Sequence, residues 1–232
     1  MTKPSCARTV LVFARAPEPG RVKTRLAAAV GGERAAAIYR DLAEHTVNVA
    51  RQVSDCGVVV CCDPAASLAA IAAWLGDGLE YRAQLSGDLG MRMAGAMGDA
   101  LARGAQSVAL IGTDCPGLDA ALIDAAFAAI DPRAGAAAAD VALGPARDGG
   151  YYLIAARQVH SALFGGIPWS TSETLGATLS AAAVAGLGVS LLDERRDIDT
   201  IEDWLGWCAE RSNRGETDGY IAASDSGAPP SR

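Results

Sequence analysis

The chain has 232 residues, of which 50% are hydrophobic and 5% aromatic, and its formal net charge is −7. This length allows one large domain with a substantial buried core. The acidic balance argues against a general nucleic-acid-binding protein, because phosphate backbones select basic surfaces. The scarcity of aromatic residues favours a helix-rich α/β enzyme over a β-sandwich.

No apolar stretch of the sequence approaches the roughly 20 residues that a membrane-spanning helix needs. The first predicted strand begins within about eight residues of Met1, which leaves no room for a signal peptide. The six cysteines lack the paired spacing of a zinc site and are interpreted as small buried side chains. We therefore expect a cytoplasmic protein without a membrane partner.

Short apolar runs alternate with helical patterns along the chain. The first strand is predicted at residues 9–14, and a long amphipathic helix at residues 32–53. Later strands are predicted at 57–62, 79–84, 107–112, 140–144 and 151–154, and later helices at 67–75, 88–103 and 119–130. This alternation predicts a three-layer α/β/α fold with a mostly parallel sheet that contains an antiparallel strand.

The organisation of the chain is predicted to be simple. Residues 1–212 are assigned to a single domain. From about residue 213 the sequence is rich in Gly, Ser, Asp and Pro, so residues 213–232 are predicted to form a disordered tail without a catalytic role. The oligomeric state stays open, and a homodimer is one of the allowed states.

The loop after the first strand carries the strongest functional signal. Two prolines stiffen it, and Gly20 lets the backbone come close to a ligand. Arg21, Lys23 and Arg25 then fall within five residues at the predicted start of a helix. Free N–H groups and cations at such a position suit a multiply charged phosphate ester. The loop is therefore interpreted as the binding site for a nucleotide diphosphate or triphosphate.

A single carboxylate follows the predicted strand at 107–112. At the carboxyl end of a buried parallel strand, Asp114 is well placed to bind Mg²⁺ or Mn²⁺, which would bridge diphosphate oxygens. The alternative is that Asp114 only caps the next turn. Because parallel sheets bind ligands beyond the carboxyl ends of their strands, the loops at 15–25, 113–117 and 145–150 should converge on one crevice.

Three later segments contribute further candidates. Asp148 belongs to a turn with paired glycines and two following tyrosines, for which an acceptor-binding role is favoured over a plain hairpin turn. Asp197 and Asp199 precede a predicted helix start and lie two residues apart, so in an extended chain both could reach one metal ion. The alternative for this pair is helix capping with solvent exposure. Trp169 precedes another helix start and is a candidate for contact with the acceptor.

Taken in order, these segments resemble a bacterial family of the GT-A (nucleotide-diphospho-sugar transferase) superfamily, in the branch described as arsenosugar biosynthesis glycosyltransferase-like. The resemblance covers about residues 10–204. It rests on F-A-R-A-P at 13–17 with P-G-R-V-K-T-R-L at 19–26, G-D-L-G at 87–90 with R-M at 92–93, I-G-T-D-C-P at 111–116, D-G-G-Y-Y-L at 148–153, I-P-W-S-T at 167–171 and R-D-I-D-T at 196–200. It implies a GT-A-type sheet, a nucleoside diphosphate-sugar donor and a divalent metal.

The resemblance also implies roles for individual segments. Residues 19–25 would hold the nucleotide and phosphates of the donor, Asp114 would bind the metal, and residues 148–150 would line the acceptor side. The candidate residues are then Ala14, Pro19, Gly20, Arg21, Lys23 and Arg25 for the nucleotide and phosphates, Asp114 and Asp148 for catalysis, Gly149, Gly150, Tyr151 and Trp169 for the acceptor, and Asp114, Asp197 and Asp199 for Mg²⁺ or Mn²⁺. Asp148 would orient the acceptor or act as base.

One departure from the family pattern bears on the metal. Many GT-A enzymes carry two aspartates in an Asp-x-Asp sequence at this strand, whereas Thr113-Asp114-Cys115 supplies one carboxylate. Metal binding must then recruit Asp197 or Asp199, or be weak or absent. The missing carboxylate also leaves open a non-catalytic nucleotide-binding scaffold.

A different transfer reaction is the main alternative. The K-T-R-L run at 23–26 also resembles the loop of 2-phospholactate guanylyltransferase, which implies a nucleotidyltransferase that joins an NTP to a phosphorylated small molecule. Both reactions use a cationic phosphate loop and a metal. They differ in the bond that breaks, because sugar transfer breaks the bond to the anomeric carbon, whereas nucleotidyl transfer expels pyrophosphate.

Overall fold

The computed structural model describes residues 7–213. In this part of the chain the backbone forms β1 (Arg8–Arg15), α1 (Thr24–Val30), α2 (Gly32–Gln52), β2 (Cys56–Asp63), α3 (Leu68–Leu75), β3 (Glu80–Ala83), α4 (Leu89–Ala102), β4 (Ser107–Ile111), α5 (Ala120–Ala129), β5 (Val141–Pro145), β6 (Tyr151–Ala156), α6 (Thr174–Val184), β7 (Val189–Leu191) and α7 (Ile201–Asn213). Apart from its first residue, the tail predicted at 213–232 lies outside the described residues. None of the described helices combines the length and apolar character that crossing a membrane requires.

The seven described strands form one sheet in the order β3-β2-β1-β4-β6-β5-β7. β1 pairs in parallel with β2 and β4, β2 with β3, and β5 with β7. β6 runs antiparallel to both β4 and β5, so the predicted sheet type is confirmed. The chain winds outward from β1 to β3 and returns to β4 beside β1, which makes the gap between β1 and β4 the point where α/β sheets open a ligand crevice.

Helices cover both faces of the sheet. Val10 and Val12 of β1 belong to the apolar cluster that includes side chains of α2, α3 and α5. Leu11, between them, belongs to the opposite cluster with side chains of α4 and α6. This division follows from the alternation of side chains along a strand. The predicted three-layer α/β/α arrangement is therefore confirmed.

The predicted elements are found with their ends within two residues of the observed ones. Local signals explain this agreement at several ends. The carboxylates of Asp88 and Asp119 accept the backbone N–H groups of Met91 and Leu122, each at 2.8 Å, and so cap α4 and α5. β7 was not predicted, because a three-residue edge strand is too short to show a hydrophobic period.

Gly90 is the position where α4 comes closest to another segment. A Cβ atom there would lie 2.3 Å from the Phe164 carbonyl oxygen and 2.7 Å from the Trp169 indole. Alanine normally stabilises a helix by up to about 1 kcal/mol relative to glycine. We expect Gly90→Ala instead to lower the free energy of unfolding by about 2–4 kcal/mol, since the clash involves backbone.

Urea unfolding measures this effect, and the same helix offers a matched control. A Cβ atom at Gly98 would meet only the Val159 side chain, at an ordinary 3.7 Å. Gly98→Ala should therefore leave the free energy of unfolding unchanged or raise it by up to about 1 kcal/mol. Equal losses in the two variants would contradict the role assigned to close packing at Gly90.

Candidate active site

A pocket of about 500 Å³ opens at the carboxyl ends of β1 and β4. This volume is within the range of small-molecule sites. Its wall comes from the end of β1, the start of α4, the end of β4, β6 and the segment before α7. The loop with Arg21, Lys23 and Arg25, here called the cationic loop, also contributes. The polar side chains among its lining residues include Arg15, Arg21, Lys23, Arg25, Tyr39, Gln84, Arg92, Asp114, Asp197 and Asp199.

The cationic loop places one cation inside the pocket and two at its rim. Lys23 has φ 48° and ψ 46°, a left-handed conformation that residues other than glycine rarely adopt. Its side chain is only 3% exposed, whereas those of Arg21 and Arg25 are 72% and 71% exposed. A strained residue held by its surroundings is typical of functional sites.

The ammonium of Lys23 lies between two carboxylates. Its Nζ pairs with Asp114 Oδ1 and lies 3.0 Å from Asp199 Oδ1. The second oxygen of Asp199 lies 3.0 Å from Nη2 of Arg25. Burial by itself lowers the pKa of Lys23, but the attraction of Asp114 and Asp199 outweighs it and raises that pKa above its usual value. Lys23 therefore stays positively charged at neutral pH.

Asp114, Asp197 and Asp199 form an aspartate cluster in the pocket. Asp197 is the member of this cluster whose charge is least balanced by nearby cations. Burial, together with the nearby charges of Asp114, Asp148 and Asp199, raises its pKa from 3.8 to about 8, although Lys23 acts in the opposite direction. Its Oδ1 is inaccessible to solvent and has no hydrogen-bond partner. A buried carboxylate oxygen without a donor is costly unless a ligand satisfies it. This oxygen therefore points to a cation that binds in the cluster.

Asp148 lies at the edge of the cluster, on the turn between β5 and β6. Its side chain is exposed, and its Oδ1 accepts the backbone N–H of Gly150 at 2.8 Å. Gly149 has φ 89°, and a Cβ atom there would lie 2.2 Å from the carbonyl oxygen of Ser172. Only glycine lets this turn approach the loop before α6 so closely.

Hydrogen bonds hold the loops of the crevice together. The phenol of Tyr39 accepts the Arg15 backbone N–H at 2.7 Å and the hydroxyl of Thr113 at 3.3 Å. It thereby links α2 to the ends of β1 and β4. The backbone N–H of Ile198 donates to the Asp114 carbonyl at 2.8 Å. This contact brings the segment that carries Asp197 and Asp199 beside Asp114.

A second polar wall of the pocket was not predicted. Nη1 of Arg92 lies 3.2 Å from Asp63 Oδ2 and 3.1 Å from Gln84 Oε1, and Arg15 Nη2 lies 3.1 Å from the same Asp63 oxygen. Arg92 Nε is buried and has no partner. Arg15 and Arg92 belong to motifs that carry the family resemblance, which was the available signal. Tyr39 and Gln84 lie in ordinary helix and strand patterns that offer none.

Several predicted site residues do not line the pocket, namely Ala14, Pro19, Gly20, Asp148, Gly149, Gly150 and Trp169. Ala14 is 1% exposed and packs in the core beside α2. Trp169 packs against α4 at Gly90 and lies edge-on to Tyr151, with ring centroids 6.4 Å apart. Tyr151 itself does line the pocket. Of the remaining candidates, Pro19 and Gly20 lie against Gly32 at the start of α2. The binding roles of these residues stay predictions.

The carboxylates do not form a ready-made metal site. Among the described residues, no three carboxylate, thiol or imidazole groups are arranged to hold a metal ion. Lys23 Nζ pairs with both Asp114 and Asp199 at this place. The donor chemistry nevertheless fits a hard divalent cation, since carboxylate oxygens are the ligands that Mg²⁺ and Mn²⁺ prefer and Asp197 Oδ1 is unpartnered.

Comparison with known proteins gives one family match. The sequence matches the family described as "Uncharacterized protein conserved in bacteria (DUF2064)" over residues 46–171. The fold is similar to that of a "putative nucleotide-diphospho-sugar transferase" from Desulfovibrio desulfuricans G20, with a TM-score of 0.82 and 31% identity. That match covers 93% of this chain and 90% of the other. No curated protein matches the sequence.

More distant structures share the fold alone. The 4-diphosphocytidyl-2C-methyl-D-erythritol synthase of Anaerococcus prevotii DSM 20548 has a TM-score of 0.57 at 12% identity, covering 91% of this chain and 100% of that one. Rv0371c of Mycobacterium tuberculosis H37Rv, in a complex with manganese, has a TM-score of 0.51 at 20% identity, covering 86% and 96%. The expected GT-A type of fold, shared by nucleotide-sugar transferases and nucleotidyltransferases, is thereby confirmed.

Proposed function

The chain belongs to the bacterial family DUF2064, and we propose that it is a transferase that uses a nucleotide-activated donor. The specific reaction that we propose is glycosyl transfer from a nucleoside diphosphate-sugar to a small acceptor, assisted by Mg²⁺ or Mn²⁺. The observation that carries this proposal is the crevice between β1 and β4, where the loop cations meet the three aspartates Asp114, Asp197 and Asp199. The 31% identity to a protein described as a "putative nucleotide-diphospho-sugar transferase" agrees with it.

The donor is assigned to the cationic side of the crevice. Arg21 and Arg25 at the rim and Lys23 inside it would hold the phosphate groups. The wall formed by Gln84 and Arg92 offers hydrogen-bond donors and acceptors to the rest of the nucleotide. When the bond to the sugar breaks, negative charge develops on the departing nucleoside diphosphate. Fixed cations lower the barrier by neutralising that charge.

The acceptor is assigned to the side of the turn between β5 and β6. Asp148 is exposed there, so it can accept the proton of an acceptor hydroxyl, while Gly149 lets the turn approach the loop before α6. Asp114, Asp197 and Asp199 together would hold the divalent metal. When bound, such an ion supplies further neutralisation of the diphosphate charge.

Nucleotidyl transfer from an NTP to a phosphorylated molecule is the second candidate. The observation that favours it is the loop with Arg21, Lys23 and Arg25, which matches a triphosphate as well as a diphosphate. The two reactions use the same parts of the crevice. They are distinguished by the product, which is a nucleoside diphosphate in one case and pyrophosphate in the other.

A thermal-shift panel tests these assignments. UDP-, GDP- and dTDP-sugars and the NTPs are compared with and without Mn²⁺. A nucleoside diphosphate-sugar at a hundred times its Kd should add about 2.7 kcal/mol to the free energy of unfolding, and Mn²⁺ should strengthen the effect. Stabilisation by NTPs alone would favour nucleotidyl transfer. Stabilisation by no nucleotide would contradict both reactions and favour a non-catalytic binding or regulatory protein.

A further inference from the structure

Lys23 does not extend from the pocket wall towards a ligand. Its side chain is 3% exposed, and its Nζ contacts Asp114 Oδ1 and, at 3.0 Å, Asp199 Oδ1. These two carboxylates are among the proposed ligands of the divalent ion. Because two cations repel each other at such short range, the ammonium and a metal ion cannot share this position.

The third carboxylate of the group is left uncompensated. Asp197 Oδ1 is buried and accepts no hydrogen bond, although it lies near Asp114 and Asp199. The free protein therefore holds one univalent cation among carboxylates, which are the donors that a divalent ion prefers. The ammonium contacts two of the three aspartates and leaves Asp197 Oδ1 without a partner.

The residue type is suited to moving between two sets of partners. Of the 20 basic residues in the chain, only Lys3 and Lys23 are lysines. Lysine carries a compact charge on a flexible stem, whereas the planar fork of arginine favours one fixed geometry. The Lys23 ammonium can thus pair with carboxylates in the free protein and with phosphate oxygens in the complex.

We propose that Lys23 closes the metal site of the free protein, and that a nucleotide polyphosphate opens it by drawing the Lys23 ammonium away from Asp114 and Asp199. This rests on the proposed function, because the phosphate groups of the nucleotide are taken as the competing partner. Metal then binds after the nucleotide or together with it. Arg25 remains paired with Asp199 at the rim of the pocket and does not occupy the position between Asp114 and Asp199.

Binding of Mn²⁺ in the absence of any nucleotide tests this order. Electron paramagnetic resonance of free Mn²⁺ gives the affinity of the wild type, Lys23→Met and Arg25→Met. Lys23→Met should bind Mn²⁺ at least about tenfold more tightly than the wild type. Arg25→Met, which removes an exposed cation from the same Asp199, should change the affinity by less than about threefold. Wild-type affinity equal to that of Lys23→Met would overturn the proposal.

A double variant shows where the gained ion binds. Asp114→Asn added to Lys23→Met should abolish the gain in Mn²⁺ affinity, and a gain that persists would place the ion elsewhere and overturn the assignment. The wild type gives a second measurement that does not depend on the variant folding. With lysine-selective ¹⁵N labelling, inorganic pyrophosphate should shift the Lys23 Nζ signal, and Mg²⁺ alone at the same concentration should not. A shift caused by Mg²⁺ alone would overturn the order.

The two levels of the proposal fail separately. If Lys23→Met gains Mn²⁺ affinity but no nucleotide stabilises the wild type, the closed metal site stands and the transferase function fails. If nucleotide-sugars bind and react while the wild type takes up Mn²⁺ unaided, the transferase function stands and the closed site fails.

Discussion

Asp114→Asn is expected to lower kcat/KM for donor cleavage by at least about a thousandfold while the protein remains folded. The substitution keeps the shape of the side chain but removes the charge that pairs with Lys23 Nζ. The backbone is held independently, because the Asp114 carbonyl accepts the N–H of Ile198 at 2.8 Å. The loss should therefore fall on charge neutralisation, measured as release of nucleoside diphosphate from the donor.

The control for this variant lies at the opposite end of the strands. Asp55 precedes β2, far from the crevice in the strand direction, and has φ 52°. Asparagine tolerates that conformation well, so Asp55→Asn should keep activity within about twofold of the wild type. Activity of Asp114→Asn within tenfold of the wild type would contradict its role in metal binding and charge neutralisation.

The sheet and its helices could be predicted because their signals are local. Apolar runs such as β2 show the continuous hydrophobicity of buried parallel strands. Asp88 and Asp119 are typical N-cap residues, and their side chains accept backbone N–H groups at the starts of α4 and α5. The turn between β5 and β6 is marked by Asp148 followed by Gly149, a pair typical of hairpin turns. What sequence could not supply was the order of the strands, which depends on contacts distant along the chain.

The candidate site shows the same limit more sharply. The sequence predicted Lys23 as a phosphate ligand and Asp199 as a metal ligand. In the structure the two neutralise each other across 176 residues of chain, a pairing that no local pattern contains. Tyr39 was not predicted as a site residue for a related reason. Its position on the buried side of α2 is typical of a core residue, and only the folded structure brings the ends of β1 and β4 against it.

Asp197→Asn is expected to raise the free energy of unfolding of the free protein, whereas most point substitutions lower it. Burial and the neighbouring charges of Asp114 and Asp148 raise the pKa of Asp197 from 3.8 to about 8, so its charged form is unfavourable in the folded state. Such a group contributes stability while it is protonated. As the pH rises from about 4 to about 8, the unfolded chain loses this proton first, and the folded state becomes relatively less stable.

The size of this effect follows from proton linkage. The wild type should lose up to about 1.4 kcal/mol per pH unit through this one group, a loss that asparagine does not share. The stability difference between Asp197→Asn and the wild type should therefore grow from pH 5 to pH 7 in urea unfolding. Asp199→Asn is the matched control, because Asp199 is paired with Lys23 and Arg25 and its replacement should destabilise the protein.

The same substitution should remove Mn²⁺ binding in the presence of nucleotide. A carboxylate binds metal in its deprotonated form, so Mn²⁺ binding to the wild type should release a proton and weaken as the pH falls from 8 to 6. Asp197→Asn should show neither proton release nor measurable Mn²⁺ affinity. A variant that is less stable than the wild type, or that still binds Mn²⁺, would contradict the account of Asp197 as a buried carboxylate kept for a cation, since stability and metal affinity must then have another source.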